Sequence, residues 1–229
     1  HTELQIVSMI GKVFHSKYDE NLEVKSNSSD KLSRLRANLP YHYLFDIIRE
    51  YWRGSGDSKA FELSTIERYE NAITAKSWHS TLDEWFLLEL EKREKSRVRI
   101  KDSSILFLKY LYTHSMSAND ELSDKKFDLE HLVPIARLKE IAGENGIPIS
   151  AFPNLCLLDM ELNRSKGEST FYEFYEKQVS DNLITQEQAE TELAQIEQFS
   201  HTTKEDLEFV RNSLSAENYN TFLFDRFSV

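Results

Sequence analysis

The stretch FDLEHLVP, residues 127–134, alternates like a β-strand until its middle, where three ionisable side chains crowd together. Asp128, Glu130 and His131 stand among apolar residues, and Pro134 closes the run. A strand that only filled a core would not carry three groups whose burial costs free energy. Alternation puts Asp128 and Glu130 on one face and His131 on the other. The stretch reads as a strand that bears chemistry, and the chain around it has to be read as its support.

Downstream, ARLKEIAGENG (136–146) reads as a short helix ended by glycine and IPISAFP (147–153) as a loop with two prolines. NLCLLDM (154–160) is a second strand, NRSKG (163–167) a turn, and STFYEFYEKQ (169–178) a helix capped by Ser169 or Thr170. The expected order is strand, insertion, strand, turn, helix. Beyond it, TQEQAETELAQIEQ (185–198) and TTKEDLEFVRNSL (202–214) read as two acidic surface helices. Upstream, the texture is helical. Leu39, Tyr43, Ile47, Ile48 and Tyr51 recur at three- and four-residue steps. GSGD (54–57) interrupts them, and a further helical stretch runs from about Lys59 to Thr74. Ser80 and Thr81 look like a cap before LDEWFLLELEKREK (82–95), and SSILFLKYLYTHS (103–115) is apolar enough to be central. The expected fold is mainly α, a helical scaffold with an embedded two-strand-and-helix unit. The expected divisions are 1–122, 123–178 and 179–229.

Composition sets limits. The chain has 229 residues, 40% of them hydrophobic and 12% aromatic, which allows a packed core and argues against disorder. Only 6 Gly and 4 Pro punctuate it, which favours long helices over many short strands. No apolar run approaches the roughly 18 residues of a membrane span. Cys156 is the single cysteine, which excludes an intrachain disulfide or a Cys-rich zinc site and makes a reducing cytoplasm the expectation. No signal peptide is legible, and an opening at His1 rather than Met reads as a processing or cloning boundary. The net charge of -11 argues against a polyanionic partner only until it is located. From Tyr172 to Val229 there are twelve acidic residues against four basic ones, whereas EKREKSRVRIKD (91–102) carries Lys92, Arg93, Lys95, Arg97, Arg99 and Lys101. That basic run is a candidate DNA contact, set against the ordinary reading of mixed charges as a solvated helix face.

Oxygen donors such as Asp128, Glu130, Asn154 and Asn163 suit a hard divalent cation, and histidine is the side chain tuned to take a proton near neutrality. A metal and a base on one compact hairpin can hydrolyse phosphodiesters. EHLVP, NLCLL and NRSKG in this order resemble the HNH, or His-Me finger, nucleases with their ββα-metal fold. They resemble in particular the nuclease domain at the C-terminal end of GmrSD-type modification-dependent restriction enzymes and related phage-defence proteins. The resemblance is tight over 127–175. It implies His131 as general base, Glu130 and Asn163 as ligands of Mg²⁺ or Mn²⁺, and Asn154 as the brace that orients the base. Arg164 and Lys166 follow as contacts to the substrate phosphate, and Asp128 as either an outer partner of the site or a competing ligand. It further implies DNA as substrate, one nick per finger, and a ParB-like NTPase domain, N-terminal or on a partner, that selects the target. An RNase, a non-specific nuclease, or a DNA-binding module with a degenerate finger remain alternatives. The stretch from His131 to Asn154 is longer than in minimal HNH domains and no CxxC zinc knuckle is present, so packing has to hold the finger.

Overall fold

A computed structural model describes residues 2–54, 58–60, 67–99, 102–116, 126–143 and 146–228. The described residues are mainly helical, with one two-stranded antiparallel sheet. They divide into two compact units, His1–Leu87 and Leu88–Val229. The expected boundary at 122/123 lies outside the described residues, and the chain just before it, 88–116, belongs to the same unit as the strands.

In the first unit α1 (Thr2–Lys17) packs on α2 (Ser28–Ile48) around Met9, Leu35, Trp52 and Tyr69. Two buried carboxylates hold the polar side of this unit. Asp46 accepts from Trp52 Nε1 at 3.0 Å and pairs with Arg68, and Glu70 meets Lys12 at 2.9 Å. The helix α3 (Ala75–Lys95) begins earlier than expected. Its cap is Thr74, whose Oγ1 accepts from Ser77 N at 3.2 Å, so Ser80 and Thr81 lie inside the helix. The helical stretch expected from Lys59 to Thr74 is helix at 58–60 and a 3₁₀ turn at Arg68–Glu70, with 61–66 outside the described residues.

The second unit is built on the strands β1 (Phe127–His131) and β2 (Leu155–Asp159). They pair antiparallel in the register Phe127↔Asp159, Leu129↔Leu157, His131↔Leu155. Between them lie α5 (Ile135–Ile141) and a loop ending in the 3₁₀ turn Phe152–Asn154. Beneath β2 runs α4 (Ser103–Met116), burying Ile105, Leu108 and Tyr112, with Phe107 stacked on Phe152 at 5.2 Å. Both faces of β2 are covered, Leu155 on one and Cys156 and Leu158 on the other being at most 4% exposed. Burial pushes the Cys156 thiol up to about 12.

NRSKG is not a turn. Asp159 ends β2 and caps the next helix, accepting from Glu161 N at 2.9 Å and Leu162 N at 3.2 Å. That cap starts α6 (Met160–Lys166), which packs on both strands, and Gly167 with φ +58° turns the chain out of it. Thr170 and Glu173 form the capping box of α7 (Phe171–Ser180). Three more helices close the unit: α8 (Gln186–Ser200), α9 (Lys204–Asn212) and α10 (Ala216–Ser228). The first two are the expected acidic pair. α8 packs on α7 and β2, while Glu176 of α7 reaches Lys204 at 2.8 Å and Arg211 at 3.0 Å on α9.

Candidate active site

His131 ends β1 half-buried, and its Nε2 meets Ser150 Oγ at 3.0 Å. Ser150 is itself buried in the loop between α5 and β2. That loop is fixed from two sides. Asn154, fully buried, accepts from Val133 N at 2.8 Å and donates to Ile149 O at 2.9 Å and Val133 O at 3.3 Å. Both amide hydrogens and the carbonyl oxygen are thus committed to backbone, which ties the end of β1 to the loop. From α10, Tyr219 donates its hydroxyl to Pro148 O at 3.1 Å and Ile149 O at 3.2 Å. The histidine therefore sits on a rigid support, and its partner Ser150 is one residue beyond the doubly anchored Ile149.

The imidazole is held neutral. Burial first, then the positive charges of Lys166 and Arg97, lower the His131 pKa to about 4. If Ser150 accepts a hydrogen from Nε2, Nδ1 is the nitrogen left to take a proton.

Glu130 stands beside His131, opposite Cys156 in the register. Its Oε1 accepts from Lys166 Nζ at 2.6 Å, and the same ammonium donates to Ser169 O at 3.1 Å. The Lys166 side chain is 1% exposed. Lys166, expected to contact the substrate phosphate, is enclosed, and its charge is engaged by Glu130 and the Ser169 carbonyl. Its position is informative about Asn163. The two residues are one helical turn apart on α6, so Asn163, half-buried, lies on the helix face that turns toward Glu130. Arg164 falls on the exposed face. Asp128 is half-buried two residues along the strand face of Glu130 and pairs across to Leu158.

The donor types suit a hard cation. Mg²⁺ is commonly held by one or two protein oxygens, with water and substrate phosphate completing the octahedron. Glu130 and Asn163 can supply such a pair, with Lys166 competing for one carboxylate oxygen. Among the described residues no three His, Cys, Asp or Glu side chains converge at metal-binding distance. A site here would be sparse in protein ligands.

The basic run 91–102 is not a uniform surface. Lys92, Arg97 and Arg99 are exposed. Arg93, expected among the DNA contacts, is 3% exposed and bound to Glu89 Oε1 at 2.6 Å and Asp102 Oδ2 at 2.8 Å, a structural ion pair turned away from solvent. Lys101 and the side chain of Lys95 lie outside the described residues.

Three participants were not legible beforehand. Ser150 lies 19 residues from His131, and Tyr219 lies 70 from the Ile149 carbonyl it holds; no local pattern couples such pairs. Lys166 was visible as a cation, but its burial against Glu130, 36 residues away, was not. Comparison with family models, curated proteins and solved structures finds no match for this chain.

Proposed function

We propose that the chain is a metal-dependent endonuclease that hydrolyses DNA phosphodiesters through a ββα finger of the HNH kind. The observation that carries this reading is that one hairpin and the helix packed on it bear all three groups. His131 is neutral and braced by Ser150, Glu130 is adjacent, and α6 brings the face bearing Asn163 against β1. In the reaction His131 takes a proton from water at Nδ1 as the water oxygen bonds to phosphorus. The bond from phosphorus to the 3′ oxygen breaks, and that oxygen is protonated from solvent, leaving 5′-phosphate and 3′-hydroxyl ends. Glu130 and Asn163 are the residues that would hold Mg²⁺ or Mn²⁺, which supplies charge stabilisation for the phosphorane oxygens and the departing oxygen. Arg164, on the exposed face of α6, is placed to meet a neighbouring phosphate.

The neutral imidazole is ready to accept a proton but is a weak base while burial and the charges of Lys166 and Arg97 hold its pKa down. A bound phosphate would offset Lys166 and Arg97 and raise its basicity at the moment of use. One finger makes one cut, so an isolated chain nicks. Target choice would rest with a ParB-like NTPase domain or partner, and the setting would be bacterial cytoplasmic defence; these parts rest on family likeness alone.

The Lys166–Glu130 ion pair favours a second reading, a DNA-binding module whose finger has lost its metal. Supercoiled plasmid separates the two. The nuclease gives nicked circles with Mg²⁺ and none with EDTA, and His131→Ala lowers nicking at least a hundredfold while duplex binding is retained. Absence of Mg²⁺-dependent nicking by the unaltered chain would reject the nuclease reading. Structured RNA run beside the plasmid tests the RNase alternative.

A further inference from the structure

The end of α3 and the turn after it are built more rigidly than a solvated charge run requires. Arg93 donates to four groups: Glu89, Asp102, Ser104 Oγ at 3.5 Å and the carbonyl of Arg97 at 3.0 Å. Asp102 in turn accepts from Arg99 N at 2.8 Å, and its own N–H donates to Arg99 O at 2.9 Å. Glu89, Arg93 and Ser104 are all buried. The backbone around 97–99 is therefore gripped from inside, while the side chains of Arg97 and Arg99 project into solvent.

A second contact fixes where this turn lies. Gly146 has φ +75°, and a Cβ there would come within 2.9 Å of the Glu94 carbonyl oxygen. Only glycine allows that approach. Gly146 is four residues from Ser150, the partner of His131. The loop that holds the imidazole thus begins against the last turn of α3, directly before the gripped segment. Of the basic groups near the site, Lys166 and Arg93 are internally paired.

We infer that Arg97 is a phosphate-binding cation beside the loop that carries Ser150, clamped in place through its own backbone by Arg93. The inference deepens the nuclease reading and rests on it for the identity of the anion, a nucleic-acid phosphate. Arginine suits the task because its planar fork can hold two phosphate oxygens. A fixed backbone lowers the freedom lost when it does so.

The test separates binding from cutting. The full chain is titrated against a fluorescent DNA duplex in EDTA over a series of salt concentrations, using the unaltered protein, Arg97→Ala, Arg97→Lys and Arg99→Ala. Plasmid nicking in Mg²⁺ is measured on the same samples, with thermal melting as the check on folding. Arg97→Ala should weaken duplex binding at least threefold and lower the slope of log K against log salt by about 0.9, the loss of one phosphate contact. Arg97→Lys should recover the slope but not the full affinity, and Arg99→Ala should stay within twofold. Duplex binding by Arg97→Ala that matches the unaltered chain in affinity and slope overturns the inference, as does failure of the unaltered chain to bind duplex. If the unaltered chain binds but never nicks, and Arg97→Ala still loses binding, the phosphate site stands and the nuclease reading falls. If nicking is robust and Arg97→Ala changes nothing, the reverse holds.

Discussion

His131 meets three influences that all favour its neutral form: a half-buried position, the Lys166 ammonium and the Arg97 guanidinium. The folded pKa of about 4 lies below that of a free histidine, so protonation works against the fold. Its contribution to stability is complete above about pH 6.5 and declines as pH falls through that value toward 4. Activity should follow the same group. The acid limb of kcat/KM for plasmid nicking is expected well below pH 6, and Lys166→Met should move it upward by removing a neighbouring cation. Imidazole proton chemical shifts against pH give the check, and an His131 midpoint near 6.5 in the unaltered chain would contradict the arrangement. At this scale the sequence was partly legible. Glu130 and His131 stood out because ionisable groups interrupted a strand pattern. The fate of Lys166 did not, because whether a lysine faces solvent or a carboxylate is decided by how the next helix packs.

The hairpin and its helix show what local signals can and cannot carry. Strand alternation located β2 to within a residue of its observed ends but carried β1 three residues beyond His131, and of the two expected caps, Ser169 and Thr170, it is Thr170 that starts α7. The seven-residue α6 reads as a turn in sequence because NRSKG has turn-forming residues and no apolar period. Asp159 decides the matter by capping two amide groups, a role that looks the same in sequence as the last residue of a strand. The connection between the strands depends on Asn154. Asn154→Ala removes three hydrogen bonds and leaves Val133 N–H buried without a partner, which should cost about 2–4 kcal/mol. Because Ile149 is released next to Ser150, nicking by the folded fraction should fall as well. Urea unfolding followed by circular dichroism measures the first effect. A loss under 1 kcal/mol would mean that Tyr219 alone suffices to hold the loop.

Across the whole molecule, the mainly helical architecture followed from sparse glycine and proline and from repeated apolar spacing, and it is what the structure has. Among the described residues no helix is long and apolar enough to cross a membrane. The division at Leu87 and Leu88 was invisible because it falls inside the uninterrupted helix α3, where no linker composition marks it.

The enclosed Cys156 gives this second unit a built-in reporter. A thiol 1% exposed and shifted to about 12 offers almost no thiolate at neutral pH, so the native protein should resist alkylating reagents and release one equivalent of thiol only in denaturant. Any labelling seen under native conditions would time the moment when β2 parts from α4 and α8. A cysteine introduced elsewhere on the surface could then carry a fluorophore with no competing background from the chain itself.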